Sequence, residues 1–209
     1  WRDFQLEVSP AVMIPRQETE LLIDFAWGRF SNLKNGKWVD LGTGSGALAV
    51  ALNRCFFEWE GYVVDINEEA MLIAKKNLSS LAINSLYSFH LGRWWAPLKP
   101  WWGKIDLAIA NPPYIPSSIM KNLDQIVYLN EPHIALAGGS DGLESIKEII
   151  AGAYTALAKG GCLMLEHHHD QSKDVLELMH KAGLVDINYE YDLEGIKRFA
   201  IGCKPPLEY

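Results

Sequence analysis

The segment Trp38-Val39-Asp40-Leu41-Gly42-Thr43-Gly44-Ser45-Gly46 constrains this chain more than any other. A short apolar strand, Lys37 to Leu41, runs into glycines at 42, 44 and 46, and an apolar helix follows from Ala47 to Phe57. Such a turn needs residues without a Cβ, so that the backbone bends tightly and a ligand can approach it. The helix N-terminus behind it is slightly positive. A nucleotide-like ligand suits that place. Asp65 ends the next strand, Tyr62 to Ile66, where a carboxylate can accept hydrogen bonds from two ribose hydroxyls. The glycines alone leave alternatives open. Gly42, Gly44 and Ala47 also satisfy the dinucleotide pattern, and a βα turn without a ligand has the same form.

Around this turn the periodicity alternates. Helices are expected over Glu18 to Phe30, Glu68 to Leu78 and Val175 to Ala182, and strands over Tyr87 to Leu91 and Ile105 to Ala110. Asp141 and Glu144 read as an N-cap and its reciprocal partner. The helix they open carries Leu143, Ile146, Ile150, Ala153 and Leu157 on one face, and Lys159-Gly160-Gly161 is expected to stop it. Cys162 to Glu166 reads as a fifth strand. Asp186 to Tyr191 and Arg198 to Gly202 read as a closing pair, joined too tightly for a crossover helix and so antiparallel. The expected class is α/β, Rossmann-like: a seven-stranded, mostly parallel sheet with an antiparallel final strand and helices on both faces. Phe4 to Ile14 reads as a short hairpin. Residues 1–35 then form a hairpin and helix leading into a domain over 36–209.

Composition narrows the partners. With 49% apolar and 22% charged residues the chain can bury an ordinary core, which excludes disorder and coiled coil. The net charge is −7, and the largest basic clusters are the pairs Lys75-Lys76 and Lys197-Arg198. No basic stripe supports direct nucleic-acid binding, and no apolar run supports a membrane span. Three dispersed cysteines, Cys55, Cys162 and Cys203, argue for no disulfide framework and for a reducing compartment.

Asn111-Pro112-Pro113-Tyr114 leaves the fourth strand at its carboxyl end, on the same edge as the glycine turn. A residue before proline is held extended. Asn111 then offers a side-chain oxygen and Pro112 a rigid backbone oxygen, two acceptors suited to one planar NH₂ group, with Tyr114 able to pack on its flat face. The group could be an amide or an exocyclic amine, and a proline-stiffened loop without chemistry has the same sequence.

These residues together resemble a family, the HemK/PrmC-type protein-(glutamine-N5) methyltransferases of the class I S-adenosylmethionine-dependent superfamily. Val12 to Glu20, with Pro15-Arg16-Gln17-Glu18-Thr19-Glu20, is similar to the family segment ahead of the first strand. Glu131-Pro132 and Gly138-Gly139-Ser140-Asp141-Gly142-Leu143 match two further stretches, and Gly195 and Arg198 the ending. The resemblance implies S-adenosylmethionine as cofactor, S-adenosylhomocysteine as product and the Gly-Gly-Gln glutamine of peptide-chain release factors as acceptor. It implies that Asp40, Gly42, Thr43, Gly44, Ser45, Gly46, Asp65, Trp94 and Asn111 hold the cofactor. Asn111, Pro112 and Tyr114 would be catalytic, and Asn111 to Tyr114 with Arg16 and Glu18 would meet the substrate. It also implies a cytoplasmic enzyme, or an organellar one if a transit segment preceded Trp1, and a family docking domain absent from this chain. Arg93 departs from the small or acidic residue common there.

Other targets of the same frame are a ribosomal-protein glutamine and an adenine amine of nucleic acid. A non-catalytic cofactor-binding partner is the alternative from another class. The tryptophans 94, 95, 101 and 102 read mainly as packing, with Trp94 the exception. Glu131 reads as a loop organiser. His167-His168-His169 reads as a polar loop and not as a metal site, because adjacent histidines in extended chain alternate faces.

Overall fold

In the computed structural model, which describes residues 1–206, the sheet grows outward from the strand ahead of the glycine turn. β1 (Lys37–Leu41), β2 (Glu60–Asp65), β3 (Tyr87–Leu91), β4 (Ile105–Ala110) and β5 (Leu157–Glu166) are parallel. β7 (Lys197–Cys203) runs antiparallel between β5 and β6 (Val185–Tyr191). The order is β3-β2-β1-β4-β5-β7-β6. The expected seven strands and the antiparallel end are present.

Alternation along the strands makes two cores. Trp38, Val63, Ile109 and Met164 face α1 (Leu21–Phe30), α2 (Ala47–Cys55) and α3 (Glu68–Leu81). Their neighbours Val39, Val64, Ala108 and Leu163 face α5 (Glu144–Ala156) and α6 (Ser172–Lys181). Leu22, Leu52 and Leu78 are fully buried. Each such side chain contributes roughly 1.5–3 kcal/mol of apolar burial. A short helix, α4 (Gln125–Asn130), interrupts the loop after β4 and is capped by Asp124, whose side chain accepts from the Ile126 N–H. Among the described residues no helix is long and apolar enough to cross a membrane.

Four expectations are corrected. First, the hairpin over 4–14 does not form. Asn77 of α3 takes the place of a partner strand, accepting from the Glu7 N–H and donating to the Glu7 carbonyl, both at 2.8 Å. Phe4 and Val12 are buried in an irregular strap. Second, α5 begins at Glu144. Asp141 caps no helix; its carboxylate accepts from the Leu143 N–H, and Glu144 reaches back to the N–H of Ser140.

Third, Lys159-Gly160-Gly161 does not stop α5. The helix ends at Ala156 and Leu157 is already extended and paired with Ile105, so these residues occupy an irregular stretch of β5. Fourth, Cys162 and Cys203 form a disulfide. Inserting β7 beside β5 sets the two residues directly opposite, with Cα atoms 4.0 Å apart, although 41 positions separate them in sequence. Cys55 is the free cysteine.

Candidate functional site

Parallel pairing brings the site together. Leu41 pairs with Val64 on one side and with Ala110 on the other. The residues that follow, Gly42, Asp65 and Asn111, therefore leave the sheet side by side at its carboxyl edge. Strand order reverses between β1 and β4, and open α/β sheets bind ligands at such a point. A cavity of about 510 Å³ lies there, lined among others by Gly42, Thr43, Gly44, Ser45, Asp65, Trp94, Asn111 and Pro113.

The glycine turn is held from beneath. The N–H groups of Gly42 and Thr43 both donate to the Val64 carbonyl at 2.9 Å. Asp40 is fully buried and lines no part of the cavity; its Oδ2 accepts from the Thr43 hydroxyl at 2.6 Å and from the Ala49 N–H at 3.1 Å. Burial pushes its carboxyl up to about 7, against the pull of the Thr43 bond. Gly46 also lies off the cavity. Its φ is +83°, and a Cβ there would lie 3.1 Å from the Ala74 Cα, so it serves the close approach of α2 to α3. Gly42, at φ +76°, leaves room for the Trp94 ring, whose edge would lie 3.0 Å from an added Cβ.

Two groups in the cavity wall keep unused polar capacity. Asp65 accepts from the Gly44 N–H through Oδ2 and from the Asn67 N–H through Oδ1, each at 2.8 Å. A carboxylate oxygen carries two lone pairs, so one remains on each for a diol. Burial raises the Asp65 carboxyl, and those two N–H groups work against the rise. Trp94 sits at φ +47°, an unusual conformation for a bulky residue. Its buried Nε1 has no partner among the described residues. Arg93 lies over the Trp94 ring, 5.7 Å from its centroid, and its guanidinium is paired with Glu148. Asp65 and the Trp94 ring beside the glycine turn fit a nucleoside.

At the other end of the cavity, Asn111 donates through Nδ2 to the Thr19 hydroxyl at 3.1 Å. Thr19 donates to Glu166 Oε2 at 2.7 Å, and the Tyr114 hydroxyl donates to Glu166 Oε1 at 2.9 Å. Gln171 donates to the Tyr114 carbonyl at 3.1 Å. Asn111, Pro113 and Thr19 line the cavity, whereas Pro112 and Tyr114 do not. The Tyr114 hydroxyl is engaged by Glu166, and the residue is partly buried. Beside Glu166, burial and the negative charge raise the Tyr114 hydroxyl above its ordinary range.

The strap supplies an apolar wall through Ala11, Val12, Met13 and Pro15. Arg16 and Glu18 are not in that wall. Arg16 instead forms an ion pair with buried Glu131 at 2.6 Å, tying the strap to the loop after α4. Sequence reading missed the strap, Thr19 and Glu166 as site residues; a threonine between two acids, ahead of a helix, was the available signal. Trp95 is buried and donates to the Ile149 carbonyl, and Trp101 packs on Tyr62 and His90. His167 is buried, while side-chain N and O atoms of His168, His169 and Asp170 lie within 4.8 Å of one another, outside the cavity wall.

Strand order and the antiparallel β7 define the class I methyltransferase fold, a class whose cofactor is S-adenosylmethionine. The methyltransferase small domain family matches residues 18–123. The hMettl16 catalytic domain, solved with a MAT2A 3'UTR hairpin, shares the fold. Its TM-score is 0.76 at 14% identity, over 100% of this chain and 80% of that one. A release factor glutamine methyltransferase of Prochlorococcus marinus is 49% identical over 98% of this chain and 71% of its own length. One of Synechocystis is 39% identical over 95% of this chain and 68% of its own. The chain belongs to the release factor glutamine methyltransferase family.

Proposed function

We propose that this protein transfers the methyl group of S-adenosylmethionine to the side-chain amide nitrogen of a glutamine, that of the Gly-Gly-Gln tripeptide of peptide-chain release factors. The observation that carries the reading is the 49% identity to a release factor glutamine methyltransferase along nearly the whole chain. The placement of Asn111 on the wall shared with Asp65 and the glycine turn supports it.

The residues divide the work. Backbone of Gly42 to Ser45 approaches the amino-acid end of the cofactor, Asp65 takes the ribose hydroxyls and Trp94 covers the base. When bound, the cofactor supplies a methyl group made electrophilic by its sulfonium. An amide nitrogen is a poor nucleophile because its lone pair is delocalised. Asn111 Oδ1 and the Pro112 carbonyl accept hydrogen bonds from its two N–H groups, return electron density to nitrogen and aim it. Alignment of this kind is worth up to roughly 7–11 kcal/mol of barrier. No strong base is needed, since the proton becomes acidic only after the new bond forms. Pro113 stiffens the turn, Tyr114 anchors it through Glu166, and Arg16 and Glu18, outside the cavity wall, are left to meet parts of the substrate beyond the glutamine.

The test is transfer of labelled methyl to an intact release factor and to its Gln→Ala variant, with DNA, RNA and ribosomal protein in parallel. Label on the intact factor alone is expected. Label on nucleic acid or on a ribosomal protein instead overturns the acceptor. In the same assay Asn111→Ala should lose about 100-fold or more in turnover, by analogy with loss of one oriented polar group at a reacting centre. Its affinity for S-adenosylmethionine should stay within a few-fold.

A further inference from the structure

The chain of bonds behind Asn111 has a direction. Glu166 is 2% exposed, and both its oxygens are engaged, Oε2 by Thr19 and Oε1 by Tyr114. An ionised carboxylate only accepts hydrogen bonds. Burial raises the Glu166 carboxyl, and the Thr19 and Tyr114 bonds and the charge of Arg198 pull it back toward the ionised form. With Glu166 ionised, the single hydroxyl proton of Thr19 is committed to it. What Thr19 offers to Asn111 is a lone pair, and only the NH₂ edge of a carboxamide can use it. The planar Asn111 side chain is thereby locked with Oδ1 turned away from Thr19. Among the described residues Oδ1 has no hydrogen-bond partner.

We infer that Thr19 and Glu166 are positioning residues that fix the Asn111 carboxamide with its oxygen toward the acceptor, so that the site takes an amide and refuses a carboxylate. The inference rests on the reading of Asn111 as an acceptor clamp. An isolated asparagine can flip its amide and present NH₂ as readily as oxygen. A flipped Asn111 would donate, and a donor beside the cofactor suits glutamate better than glutamine. The polarity set by Glu166, two bonds away, removes that choice. Thr19 is 4% exposed, so water does not substitute for its hydroxyl. The relay also ties three distant parts of the chain to one atom: the turn ahead of α1, the end of β4 and the end of β5.

The test compares Thr19→Val, which keeps shape and deletes the hydroxyl, with Thr19→Ser, which keeps the hydroxyl. Two acceptor proteins are used, a release factor and its Gln→Glu variant, the second as competitive inhibitor. S-adenosylmethionine affinity within twofold of wild type reports an intact fold. Thr19→Val should lower kcat on the glutamine factor about 10- to 100-fold, in line with losing one bond in a charged network. It should also lower the ratio of Ki for the glutamate factor to KM for the glutamine factor at least about tenfold. Thr19→Ser should stay within about threefold of wild type on both counts.

Glu166→Gln supplies a second probe. Its amide can hand a proton to Thr19 and reverse the relay, so the same ratio should move in the same direction. A merely structural defect lowers both affinities together and leaves the ratio unchanged. An unchanged ratio in both variants overturns the inference. Asn111→Ala separates the two levels. If it keeps the wild-type rate, the clamp fails and the relay with it. If it is inactive while the ratio in Thr19→Val holds, the relay alone fails.

Discussion

Asp65 Oδ2 and the backbone N–H of Gly44 are 2.8 Å apart, so the acid that ends β2 is hydrogen-bonded to the turn that follows β1. The two elements the sequence offers for a cofactor, the glycine turn and Asp65, are thus one unit. Asp65 orients the glycine backbone while keeping a lone pair on each oxygen for the ligand. A carboxylate that served only the ligand would have no reason to touch Gly44.

Asp65→Ala should therefore weaken S-adenosylmethionine binding by more than one contact's worth. Hydrogen bonds to a charged group are worth about 1.5–3 kcal/mol each, so titration calorimetry should show a loss of at least about 30-fold. Asp65→Asn keeps one acceptor oxygen and should fall between. An unchanged Kd in Asp65→Ala means the ligand does not use this edge of the sheet.

Asp40 makes stability depend on pH. Burial raises its carboxyl from 3.8 to about 7. The folded protein therefore holds a proton that the unfolded chain has released, so this contribution is full below about 4 and is lost as pH rises through about 7. At 1.36 kcal/mol per pKa unit the loss is a few kcal/mol. Asp40→Asn has no proton to lose. Urea unfolding at about pH 5 and pH 8 should show a smaller decline for the variant than for wild type. Equal declines would show that Asp40 does not titrate in this range.

Gly46→Ala should destabilise the fold without touching the cavity. The left-handed backbone costs about 1–2 kcal/mol for a residue with a Cβ, and the contact with the Ala74 Cα adds to it. Gly160, at φ +80° with open space around it, is the control. Gly160→Ala carries the conformational cost alone. Thermal unfolding should place Gly46→Ala several degrees below Gly160→Ala, at roughly 2–4 °C per kcal/mol for a chain of this size. Equal midpoints remove the packing role assigned to Gly46.

The boundaries of β1 and β4 follow directly from apolar runs, because a strand buried on both faces needs no periodic signal beyond its length; β3, a partly exposed edge strand, shows instead in the alternation of Tyr87, Phe89 and Leu91 with polar residues. Gly42, Asp65 and Asn111 were legible for a related reason. Parallel strands bring their carboxyl ends together whatever lies between them. The partnerships of Thr19 were not legible. Asn111 lies 92 residues from it and Glu166 lies 147 residues from it, and no local pattern records either contact. The strap misled for the opposite reason. Its alternation mimicked a hairpin, and Asn77, 70 residues from Glu7, supplies the bonds a partner strand would have made. The pairing of Cys162 with Cys203 likewise waits on the insertion of β7, which follows from topology and not from spacing.

That insertion has a consequence for the order of assembly. β7 separates β5 from β6, so β5 has an open edge until the chain through Cys203 is available. Chains emerge from the ribosome amino end first and fold in that order where topology allows. The half with β1 to β4, bearing the glycine turn, Asp65 and Asn111, can pair early. Glu166 closes β5 and becomes fixed only when Phe199 of β7 lies opposite it. A nascent chain that pairs its strands in this order completes the edge bearing Gly44 and Asp65 before Glu166, the far end of the hydrogen bonds behind Asn111, is held in place.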